Sequence, residues 1–159
     1  MPQAATVPRV VVKALIVVVA TAAAATAPAA ANATEWAVKQ CVLESSPQPL
    51  SDGYQQTTVY FAVTPRSVAL VSAAPLDAGT SELGLKVDSE PFVGVDRVDG
   101  DRKALFDANY ERVVAQFKAG TQVKVQLRFW PTWPATGTHA TTLSLIGFTR
   151  AYGELAGCR

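Results

Sequence analysis

Val123-Lys124-Val125-Gln126-Leu127-Arg128-Phe129 alternates apolar and polar residues without a break. A period of two places Val123, Val125, Leu127 and Phe129 on one face and Lys124, Gln126 and Arg128 on the other, the pattern of a half-buried β-strand. Trp130-Pro131-Thr132-Trp133-Pro134 ends the strand, because a proline has no N–H to give a ladder. Gly137 completes a hairpin-like loop, and residues 141–146 return, with Thr141, Leu143 and Leu145 on one parity. An antiparallel pair of this kind sets the fold class for the rest of the chain.

Upstream, the same reading predicts strands over residues 36–43, 57–63, 67–71, 83–87 and 92–95. Breakers separate them: Ser45-Ser46-Pro47-Gln48-Pro49, Asp52-Gly53, Pro65 and Ala74-Pro75. Residues 96–103 are rich in charge and read as a surface loop. Tyr110, Val113, Val114 and Phe117 recur at helical spacing, with Asp107 placed to cap the helix and Gly120 placed to stop it in the left-handed region. Phe148, Ala151, Tyr152 and Leu155 predict a last helical turn or two. About seven strands in succession, without alternating helices, predict a mainly β antiparallel sandwich or flattened barrel with one short amphipathic helix and a C-terminal helical turn.

Composition excludes several functions. The 159 residues carry 14 basic and 13 acidic side chains, a formal charge of +1 that argues against a polybasic nucleic-acid binder. Two cysteines and one histidine are too few for a four-cysteine zinc site or any site needing two imidazoles. No Gly-rich phosphate cradle precedes a helix. No cofactor and no metal is expected from these residues.

Charge is also unevenly spread. Arg9 and Lys13 are the only charged residues before Glu35, and an apolar stretch rich in Ala, Val, Leu and Ile follows them. Small residues come next, and Ala31-Asn32-Ala33 fits a leader-peptidase signal, as does Ala29-Ala30-Ala31. The expectation is a signal peptide over residues 1–33 and a single β domain over 34–159, with no membrane span after cleavage. The competing reading is a retained anchor, since residues 10–27 reach the lower length limit for a spanning helix. Cleavage leaves 12 basic against 13 acidic residues. Export also makes pairing of Cys41 with Cys158 the expected state, against two free thiols on a frayed tail.

The order of these pieces resembles the invasion-associated locus B family of exported bacterial proteins. The resemblance rests on Trp36 followed by Gln40-Cys41-Val42-Leu43, on the strand Leu83-Gly84-Leu85-Lys86-Val87-Asp88, and on Phe92-Val93. The amphipathic helix closed by Gly120 adds to it, and Leu143-Ser144-Leu145-Ile146-Gly147-Phe148-Thr149-Arg150-Ala151-Tyr152 is its strongest part. The chain departs from the family pattern in having no cysteine between Phe92 and Asp101 and no second cysteine near the first strand, so the family's disulfides do not transfer. The resemblance implies a periplasmic or envelope address, with host-cell entry a theme among members from pathogens, and it implies no catalytic residue.

The residues themselves offer few reactive groups. His139 sits at a loop-to-strand junction without a G-x-S-x-G nucleophile and is expected as an exposed loop residue. Asp96, Asp99, Asp101 and Asp107 lack calcium-loop spacing and alternate with Arg97, Arg102 and Lys103. Trp130 and Trp133, in a proline-stiffened loop, are the expected contact surface for an envelope or host-surface protein. The expected function is therefore non-enzymatic and acts through protein or surface contacts. The alternatives are a hydrolase with an unrecognised site and a small-ligand carrier with a cavity between its sheets.

Overall fold

The computed structural model describes residues 35–131 and 137–158. The expected leader over 1–33 and Trp133 lie outside the described residues. Eleven strands and two helices follow in the order β1 (Trp36–Lys39), β2 (Val42–Ser45), β3 (Gln48–Ser51), β4 (Gln56–Thr64), β5 (Ser67–Ser72), β6 (Gly84–Val87), β7 (Val93–Gly94), β8 (Arg97–Asp99), β9 (Lys103–Leu105), α1 (Tyr110–Ala119), β10 (Gln122–Leu127), β11 (His139–Ser144) and α2 (Phe148–Leu155). They form two antiparallel sheets, with no closed barrel among the described residues. The larger has the order β1-β2-β4-β5-β9-β8, with β3 also on β4; the smaller has the order β11-β10-β6-β7.

Alternation decides which faces meet. In β10, Val123, Val125 and Leu127 are buried while Lys124 is exposed, and in β4, Thr57, Val59, Phe61 and Val63 are all buried. These inner faces join Phe117 of α1 and Phe148 of α2 in one core. Its centre is aromatic: Trp36 lies 4.9 Å from Phe148 and 6.1 Å from Phe117, both edge-on, and Phe61 lies 5.0 Å from Phe117. The Trp36 indole N–H donates to the Ser144 carbonyl at 3.0 Å, so its polar atom is satisfied although the side chain is 1% exposed.

Several sequence expectations are corrected. Residues 36–43 are not one strand but the β1–β2 hairpin, because Gln40 and Cys41 both take positive φ and close a two-residue turn. The breaker cluster holds strand β3, with Pro49 opposite Thr58 on a sheet edge, where a missing N–H is tolerated. Between β2 and β3 the ladder on β4 is interrupted, and the buried Ser45 hydroxyl accepts the Phe61 N–H at 2.9 Å in its place. The charged run at 96–103 forms most of the β8–β9 hairpin around Gly100, at φ 62°. Its alternation was hidden because one inward residue of β8, Val98, carries the apolar signal.

The helix caps also differ. Asp107 does not cap α1; its carboxylate accepts from Ser67 Oγ at 2.6 Å and Arg97 Nη2 at 2.9 Å. No side chain caps the first turn of α1; Asp96 instead holds the turn that leads into it, accepting the Ala108 and Asn109 N–H groups at 2.8 and 3.2 Å and the Asn109 Nδ2 amide at 2.7 Å. Gly120 is extended, not left-handed. It is glycine for space, since a Cβ there would overlap Val87. Gly84 is required for the same reason: a Cβ would meet the Val93 carbonyl oxygen and the Phe92 ring.

Candidate functional site

The registers sort the connections between the two ends of the sheets. The turn 52–55, the segment 73–76, residues 101–102, the stretch after Leu127 and the start of β11 all lie at one end. The β1–β2 turn, both ends of the disulfide, and the start of β10 lie towards the other.

Trp130 belongs to the first end. It is 60% exposed, although its backbone is fixed: its N–H donates to Pro75 O at 2.9 Å, and Phe129 beside it is buried and bridged to Leu76. The Trp130–Pro131 peptide bond is cis. Tyr54, 58% exposed, stands on the turn at the same end. That turn is built by Asp52, whose carboxylate oxygen accepts the N–H groups of Tyr54 at 2.9 Å and Gln55 at 2.8 Å. Those two amides, Gln55 first, hold the Asp52 carboxyl below the usual carboxylate range.

The polar groups around these aromatics are engaged in building the end. Arg128 lies 3.5 Å from Asp77 and 3.7 Å from Glu82, and Glu82 accepts from Thr138 Oγ1, tying the loop after β10 to the one before β6. Ser72 Oγ donates to Ala74 O at 2.8 Å, and Arg102 Nη1 donates to Ala73 O at 2.6 Å. His139 is not an exposed loop residue: it opens β11 opposite Leu127, half-buried, its ring 5.9 Å from Phe129. Its Nε2 is buried and makes no hydrogen bond among the described residues. The apolar neighbours that strand pairing brings to it were not visible in the sequence.

Cys41 and Cys158 are bonded as a disulfide, with Cα atoms 5.5 Å apart across a separation of 117 residues. The bridge holds the end of α2 against the β1–β2 turn. Three of the four aspartates separate by role: Asp96 holds the turn before α1, Asp107 bonds Ser67 and Arg97, and Asp101 pairs with Arg102 at 3.5 Å. Among the described residues no group of three or more metal-ligating side chains converges, and no helix is long and apolar enough to cross a membrane.

Of the two expected contact residues, Trp130 is thus exposed on a fixed backbone, and Trp133 lies outside the described residues. Tyr54 was missed in the sequence because Asp52-Gly53 reads only as a turn; that this turn meets the Trp130 end is set by β4–β5 and β10–β11 pairing. Comparison with models of protein families, with curated proteins and with solved structures finds no match.

Proposed function

We propose that this protein is exported, matures by loss of residues 1–33, and works without catalysis in the periplasm or envelope, as a binding protein of the invasion-associated locus B type. Its contact surface is the end of the sheets that carries Trp130 and, on the 52–55 turn, Tyr54, with Trp133 three positions further along the sequence. The observation that carries the reading is an indole 60% exposed on a backbone already held by a hydrogen bond to Pro75. A large aromatic surface that needs no ordering gains more from docking than a mobile one, because the entropy cost is paid during folding. The engaged carboxylates nearby support contact rather than chemistry, since Asp52, Asp77 and Glu82 each serve a turn or an ion pair. The Cys41–Cys158 bridge supports an oxidising address.

The test places a photo-crosslinking phenylalanine at position 130 in the full-length chain, expressed in the producing bacterium. The expected result is a discrete adduct with one envelope or host-surface protein, absent when the probe stands at the exposed Glu111 of α1 instead. Equal adducts from both positions, or none from position 130, refute the contact surface. Amino-terminal sequencing of the fractionated protein tests the export step, and an intact terminus in the cytosol refutes it.

A further inference from the structure

The outer face of the smaller sheet sets two like charges against each other. Lys86 on β6 and Lys124 on β10 are direct cross-strand partners, and both are exposed. Like charges in this position repel, and a sheet gains nothing structural from them. Neither ammonium has a carboxylate within ion-pair distance among the described residues. Thr142 stands opposite Lys124 on the other side, and Gln122 lies two residues along the same face. Together with Asp88 they line an open groove of about 400 Å³.

Asp88 does not neutralise the pair by direct contact. Its two oxygens accept from Thr121 N at 2.9 Å, Thr121 Oγ1 at 3.0 Å and Gln122 N at 3.2 Å, which ties the end of β6 to the start of β10. The groove therefore presents two ammonium groups that no carboxylate contacts, one amide and one hydroxyl, with the Asp88 carboxylate at its edge already taken up by the Thr121 and Gln122 donors, so the groove carries one net positive charge. Directly opposed residues have Cβ atoms about 5 Å apart, close enough for both ammoniums to reach oxygens of one tetrahedral anion.

We propose that Lys86 and Lys124 form a binding site for a phosphoryl group, with Thr142 and Gln122 as further donors, on a face separate from Trp130. A bound dianion would turn the repulsion between the lysines into shared attraction. The shared chemistry is the phosphate; it can arrive as the free ion or as the headgroup of an anionic lipid.

The experiment titrates the oxidised protein with inorganic phosphate and follows backbone amide shifts, with sodium chloride at matched ionic strength as control. The expected shifts centre on Lys86, Gln122, Lys124 and Thr142. Lys124→Gln and Lys86→Gln should each weaken phosphate binding about tenfold, the effect of losing one charge-assisted contact. Without phosphate, either variant should melt about 1–3 °C higher than the parent, because the cross-strand repulsion is gone. A flotation assay then compares phosphatidylglycerol with phosphatidylcholine vesicles. Lysine-dependent flotation with phosphatidylglycerol assigns the phosphate to a headgroup, and phosphate shifts without flotation assign it to the free ion. Shifts that sodium chloride reproduces, that persist in the double glutamine variant, or that are absent while flotation is also absent, overturn the proposal.

Discussion

The two ends of this molecule are built differently. At one, α1 and α2 close over Trp36, Phe61, Phe117 and Phe148, and the Cys41–Cys158 bridge fixes the last residues of α2 to the first hairpin. There the large aromatics are inside and edge-on to one another. At the other, the connections are held by short polar contacts: Asp52 on its own turn, Ser72 on Ala74, Arg128 on Asp77. There two large aromatics, Trp130 and Tyr54, are outside, while Phe129 next to Trp130 is buried. The same residue type is cement at one end and surface at the other. The difference teaches that edge-on aromatic packing holds one end, while at the other short polar contacts hold the backbone and leave Trp130 and Tyr54 exposed.

The comparison can be broken most forcefully at Trp36. Trp36→Ala should cost about 3–5 kcal/mol, because it empties the aromatic centre and orphans the Ser144 carbonyl. Urea unfolding measures it, and a loss under about 1 kcal/mol would mean that the core does not depend on this ring. Next in size is the staple. Cys41→Ser with Cys158→Ser should lower stability by about 2–4 kcal/mol, chiefly by freeing the unfolded chain. Hydrogen exchange should quicken most in α2 and β1; uniform quickening would show that the bridge does not act on that end in particular.

Acid should sharpen the contrast from the other side. Asp52 is held below its ordinary pKa by the amides of Gln55 and Tyr54, so the folded state favours its charged form. Its contribution is present above the unfolded carboxylate range and is lost as pH falls below about 4. Asp52→Asn should therefore be less stable than the parent at neutral pH, with the gap closing in acid, and a gap that is constant with pH contradicts the assignment. The smallest effect on folding is expected at the site proposed for contact. Trp130→Ala should leave stability within about 0.5 kcal/mol of the parent, since the side chain is 60% exposed, while a crosslinking probe placed at the exposed Tyr54 position loses the partner. A large loss of stability would place Trp130 with Trp36, as cement.

Legibility followed the range of the interaction. The inward residues of β10 and of α1 could be read directly, because alternation and helical spacing are written in neighbouring positions. The β8–β9 hairpin could not, since Val98 is the one inward residue of β8 and the buried Ala104 and Leu105 of β9 are too short a run to show alternation. Asp107 reads as the cap of α1 by proximity in the chain, yet the competing donors Ser67 and Arg97 claim it, and the turn before the helix is held by a residue eleven positions earlier, Asp96. Trp130 could be singled out as an aromatic in a stiff loop, but nothing local showed that Tyr54 shares its end.

By itself, the order of residues determined the mainly β class, the faces of the clearest strands and the two helices, because each depends on backbone periodicity over a few positions. Folding in three dimensions decided that Lys86 faces Lys124, that residues 36–43 turn back on themselves, and that Cys41 reaches Cys158. Those outcomes depend on which strand pairs with which and in what register, and that is set by the burial of one shared core rather than by any stretch of sequence alone.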